Sequence, residues 1–101
     1  MSDVKALYER LRALSWPALA GSVGDFALYE SLLAGFADRV ARGGLVDGSK
    51  VPTPDDETLR YVDMLRTQRD LSDDEIAFLE YFDVLEKIRS ALAGGRLGSR
   101  S

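Results

Sequence analysis

Carboxylates and arginines are the groups through which this chain could do chemistry, because it has no histidine and no cysteine. That removes disulfides, thiolate chemistry, sulfur-ligated metals and the usual imidazole general base. The carboxylates fall into recognisable arrangements. Asp55, Asp56 and Glu57 form one cluster and Asp73, Asp74 and Glu75 another. Either could serve a divalent cation if the two were brought together. Neither has the alternating spacing of a calcium loop, and both lie where acids favour a helix start through its dipole. A hydrolase pair would need one carboxyl with a raised pKa inside an apolar pocket, and no Asp or Glu sits within an apolar face. No catalytic residue, metal or cofactor is expected.

A third arrangement suggests adhesion. Glu75, Glu80, Asp83 and Glu86 surround Ile76 and Leu79, two large apolar residues on an otherwise charged helix side. Leu28 and Met64 are similarly out of place on their helices. Apolar anchors ringed by charge are how many protein interfaces are composed, the anchors giving affinity and the rim steering. Lone exposed apolar residues are also common, and Ile76 has a second use as a staple to Leu71. The expected partner-binding set is Ile76, Leu79, Glu80, Asp83, Glu86, Met64 and Leu28.

The stretch 43–50, Gly-Gly-Leu-Val-Asp-Gly-Ser-Lys, briefly resembles a phosphate-binding loop. It lacks the order Gly-Lys-Ser/Thr, a strand before it and a helix after it. Arg60, Arg66 and Arg69, with Arg39 and Arg42, could belong to a helix-turn-helix. The helix that would read bases, however, opens on three acids, so nucleic acid is an unfavoured partner. Glu30-Ser31-Leu32 lies inside a helix and not at a helix start, which argues against a carrier protein.

The elements that position these residues are helical. A first helix over residues 3–14, capped by Ser2, carries Val4, Leu7, Tyr8, Leu11 and Leu14 on one face, with Lys5, Glu9 and Arg12 opposite. Ser15-Trp16-Pro17 interrupts it, with one short turn over 17–20 and Trp16 plugging an end of the core. Ser22 or Asp25 caps a second helix running to about Arg42. Phe26, Tyr29, Leu32, Leu33, Phe36, Ala37 and Val40 form its apolar face, Glu30, Asp38, Arg39 and Arg42 its wet one, and Gly43-Gly44 its stop. Residues 45–53 form a crossing loop. Thr53 caps a third helix, with Pro54 in the first helical position, that runs to about Arg69 with Leu59, Tyr61, Val62 and Leu65 inward.

Only Asp70-Leu71 then precedes Ser72-Asp73-Asp74-Glu75, a capping box, so helices three and four form a tight antiparallel hairpin. The fourth helix, 73–93, organises the rest. Ala77, Phe78, Tyr81, Phe82, Val84, Leu85, Ile88, Ala91 and Leu92 cover about half its circumference, wider than the ~100° stripe of a surface helix. It needs covering on more than one side, by its own chain or by a partner.

At 101 residues the chain makes one domain, 1–93, with a flexible, mildly basic tail over 94–101. Its net charge of −4 is uneven: six basic and six acidic residues over 1–50, five and eleven over 51–90, two and none over 91–101. The acidic hairpin repels phosphate backbones and steers basic partners. Lys5, Glu9, Arg10 and Arg12 stand where a signal core would lie, and the longest uncharged run, 13–24, is short of the ~20 residues that cross a bilayer. A cytoplasmic protein with no membrane association is expected. The lack of Asn, His and Cys beside abundant Ala, Arg, Gly, Leu and Asp suits a GC-rich, bacterial or phage coding sequence.

The composite expectation is an all-α, four-helix antiparallel bundle-like domain. Its function is that of a small acidic non-enzymatic interaction protein: an inhibitor, adaptor or accessory subunit docking on a larger protein with a basic surface, such as a nucleic-acid-handling machine. The alternatives are a helical DNA-binding regulator and a homodimeric structural protein.

Overall fold

A computed structural model describes residues 2–94, and their side chains from 4 to 93. The described residues are all-α, with helices α1 (Ser2–Ala13), α2 (Phe26–Ala41), α3 (Asp56–Thr67) and α4 (Asp73–Gly94). Two 3₁₀ turns, Ala18–Ser22 and Gly48–Lys50, lie in the connections. The tail beyond Gly94 and the cap expected of the Ser2 side chain lie outside what is described.

α4 is the central element. It packs against α1, α2, α3 and both 3₁₀ turns. Phe78, Tyr81, Phe82, Val84, Leu85, Ile88 and Leu92 are all buried, so the wide apolar arc is covered by the chain itself. Opposite them lie Val4 and Leu11 of α1, Phe26, Tyr29, Leu33 and Ala37 of α2, and Val62 and Leu65 of α3. Removing each large side chain of this kind from water contributes about 1.5–3 kcal/mol. The aromatic centre is Phe26, whose ring lies 4.8 Å from Phe78 and 6.2 Å from Phe82 between centroids. Trp16 meets Tyr81 edge-on at 5.6 Å and Phe26 at 6.0 Å, yet remains 47% exposed. It closes the end of the core as a half-wet lid.

The capping box forms as the sequence implies. The Ser72 N–H donates to Glu75 Oε1 at 2.8 Å, and the Glu75 N–H donates to Ser72 Oγ at 3.2 Å. The start of α3 differs. Asp55, not Thr53, is the cap, and its carboxylate accepts from both the Thr58 N–H and the Thr58 hydroxyl. Two residues are thereby lost from the expected first turn, and Pro54 precedes the helix. α2 starts without a side-chain cap, because Asp25 makes no capping bond and the Ser22 hydroxyl donates back to the Leu19 carbonyl. α3 also ends earlier than expected, at Thr67, leaving residues 68–72 as the turn to α4.

The crossing loop returns the chain from the end of α2 to its beginning. Midway it presses on the last turn of α4, where a Cβ on Gly48 would stand 3.1 Å from the Leu92 carbonyl oxygen. At its far end Gly24, at φ +44°, lies against the α3 cap, and a Cβ there would meet Asp55 Oδ2 at 2.5 Å. Only a glycine fits this junction.

Candidate functional site

Four of the seven residues singled out from sequence converge. Ile76, Leu79, Glu80 and Asp83 line one groove on the outer side of α4, closed by Leu71 from the interhelical turn and Arg66 from α3, with a volume of about 300 Å³. α3 and α4 meet through side chains, Tyr61 edge-on to Phe78 at 5.6 Å and the Arg66 guanidinium 5.9 Å over the Phe82 ring. Their backbones approach closely at few places, and the groove occupies the space left. Ile76 is 44% exposed, Leu79 is half-buried with its base on the core, and Glu80 and Asp83 are exposed.

The groove's charges are free to exchange partners. Arg66 NH2 and Asp83 Oδ1 stand 3.4 Å apart with both side chains more than half exposed, a pair worth well under ~1 kcal/mol. Glu80 makes no ion pair among the described residues. Both carboxylates are thus available to an incoming cation at little cost.

The other three residues lie elsewhere. Met64 is exposed on α3 outside this groove, and Leu28, 59% exposed, lines a separate hollow against Pro52 and Thr53. Glu86 is half-buried and turned toward α2. Its carboxylate accepts from the Tyr29 hydroxyl at 2.7 Å and from Arg89 Nε and NH2 at 3.0–3.2 Å. The reciprocal bond joins the same helices, with the Tyr81 hydroxyl of α4 donating to Glu30 Oε2 of α2 at 2.8 Å. Burial first, then the hydrogen bond to the carboxylate, push both phenols well above the ordinary tyrosine value. The hydrogen bond to Glu86 raises Arg89 further. Sequence reasoning missed this pairing, since both glutamates look like wet-face residues and their tyrosines are more than fifty positions away.

The acidic clusters act as helix starts. Burial would raise the Asp55 carboxyl, but hydrogen bonds from Thr58 and from the backbone of Asp25 and Asp55 together outweigh it and hold the group below its ordinary range. Among the described residues no three Asp or Glu are grouped to hold a metal ion, and no helix is long and apolar enough to cross a membrane.

A second concavity lies on the far side of the molecule, between α2 and the crossing loop. It measures about 520 Å³ and is lined by Leu32, Phe36, Leu45, Val46, Ser31, Gly35, Arg39, Asp47 and Lys50. Leu32 is 48% exposed although it was expected on the inner face of α2, and Leu45 is 90% exposed.

No protein-family model, no curated protein and no solved structure gives a significant match to this chain.

Proposed function

We propose that this chain is a small non-enzymatic interaction protein whose α3–α4 groove seats an apolar side chain flanked by cations on a larger protein. One observation carries the proposal. Leu71, Ile76 and Leu79 form a concave apolar floor, and exposed, exchangeable carboxylates of Glu80 and Asp83 form its wall. An apolar anchor entering such a floor supplies affinity, and the acidic wall selects and steers a basic neighbour. The surrounding stretch strengthens the steering, since residues 51–90 carry eleven acidic and five basic side chains. The roles this suits are those of an inhibitor, adaptor or accessory subunit in a bacterial or phage assembly, with a nucleic-acid-handling machine as a target whose basic surface would complement the groove.

The test is affinity capture from the source organism with purified chain as bait, followed by reconstitution with the captured protein and hydrogen exchange of the complex. Protection should concentrate on residues 66–83. A complex whose protection lies wholly on α1 or α2 would overturn the assignment. Ile76→Asp is a cleaner probe than Leu79→Asp, because Ile76 is exposed while Leu79 also rests on the core.

A further inference from the structure

The concavity between α2 and the crossing loop has no part in the docking groove, and four features of it call for an occupant. Its lining is largely apolar, with Leu32, Phe36, Leu45 and Val46. Leu45 and Leu32 are two of the seven large apolar residues that the described chain leaves exposed, and Leu45 is the most exposed of them. A floor of this kind, at about 520 Å³, falls within the ~300–1,000 Å³ of small-ligand sites.

The second feature is Gly35. It lies in the interior of α2, where glycine is less favourable than alanine. Its φ is not positive, and a Cβ placed there meets nothing within 4 Å. Neither backbone conformation nor packing within the chain requires a glycine, but its bareness deepens the cleft at mid-floor.

Third, the cleft is edged by two cations. Arg39 and Lys50 line it and make no ion pair among the described residues, in a chain whose net charge is −4. Asp47, the lone acid of the lining, turns its carboxylate to the N–H and hydroxyl of Ser49, both near 3 Å or closer. Fourth, Leu32 also borders the shallower hollow beyond it, which contains Leu28 and Pro52 and ends at Asp25 and Asp55. The larger hollow thus carries two cations against the single acid Asp47, the smaller one two acids, Asp25 and Asp55, and Leu32 joins their apolar floors.

We infer that this trough binds an aliphatic monocarboxylate, with the carboxylate between Arg39 and Lys50 and the alkyl chain over Gly35 toward Leu32 and Leu28. Charge complementarity fixes the direction, because Asp25 and Asp55 repel the head group from the opposite end. Each methylene removed from water tightens binding roughly fourfold, so affinity rises with chain length until the tail passes Leu28.

The experiment is isothermal titration of the full chain with sodium dodecanoate below its micelle-forming concentration, beside dodecyltrimethylammonium. One-to-one saturable binding of dodecanoate is expected, at least tenfold tighter than the cationic amphiphile. Gly35→Leu fills the floor from a position with open space, so it should weaken binding at least tenfold while thermal stability is retained or raised. Arg39→Gln combined with Lys50→Gln should weaken it similarly, and that pair is exposed enough to leave folding intact. Absence of saturable binding, equal binding of the two amphiphiles, or full affinity in Gly35→Leu would each overturn the inference. So would a dimer in sedimentation that Gly35→Leu dissolves, since the cleft would then be covered by a second copy.

Discussion

Glu86→Ala separates the inside of this protein from its docking face. The Glu86 carboxylate is the acceptor for a Tyr29 hydroxyl whose residue is only 3% exposed, and it pairs with Arg89 with side chains 25% and 28% exposed. Leaving the buried hydroxyl without a partner costs about 1–3 kcal/mol. Losing the part-exposed pair with Arg89 adds about 0.2–1 kcal/mol. Together these amount to about 1–4 kcal/mol, and at roughly 4–8 °C per kcal/mol for a domain of this size the melting temperature should fall by about 5–30 °C. Tyr29→Phe should cost about 1–2 kcal/mol alone and almost nothing once Glu86 is alanine, giving a coupling of the same size. Urea denaturation of the four proteins in the double-mutant cycle measures this directly. Additive single effects, or a Glu86→Ala midpoint within error of the parent, would refute the pairing. Glu86 does not line the groove, so the same substitution should leave partner affinity unchanged.

Further expectations follow from the same geometry. Tyr29 and Tyr81 titrate above the ordinary tyrosine value of ~10 when folded, so the stability they confer is complete below that pH and lost as pH rises beyond it. The share of tyrosinate absorbance that belongs to Tyr29 and Tyr81 should therefore appear together with loss of helical circular dichroism, and complete titration of both phenols before unfolding would contradict this. Asp55 is depressed, so its contribution is present above the ordinary carboxyl range and fades as pH falls through its folded value. Asp55→Ala should cost about 1–2 kcal/mol near neutrality and flatten the acid limb of the stability profile, as read by thermal melts between pH 2 and 6. Gly24→Ala should destabilise by at least ~1 kcal/mol through its positive φ and its collision with the Asp55 cap, and an unchanged urea midpoint would contradict that. Arg66→Ala removes the one cation lining the groove and should tighten binding of a basic partner, with a steeper salt dependence.

Much of the architecture was legible in local sequence signals. The capping box at Ser72 and Glu75 needs only four residues, and the broad arc of α4 follows from periodicity, so both could be read without tertiary information. The start of α3 was harder, because Thr53 and Asp55 both qualify as caps within three residues of each other. The choice of Asp55 depends on Thr58 closing the ring through its own hydroxyl. The groove was half legible. Ile76, Leu79, Glu80 and Asp83 lie within two turns of one helix, whereas Leu71 and Arg66 come from the interhelical turn and from α3. Glu86 reads as a wet-face residue and Leu32 as an inner one, and both differ in the fold, because whether the edge of a helical face is wet depends on what the facing helix or loop brings. Only the fold puts Tyr29 against Glu86, or the crossing loop beside Leu32.

The measurement closest to the central claim is the equilibrium dissociation constant of the captured partner for Ile76→Asp and for Glu80→Lys combined with Asp83→Lys, each checked for unchanged melting. A weakening of at least tenfold in both, with Glu86→Ala indistinguishable from the parent, is the result the α3–α4 groove demands. Parent-like affinity in both groove variants would show that the partner docks elsewhere.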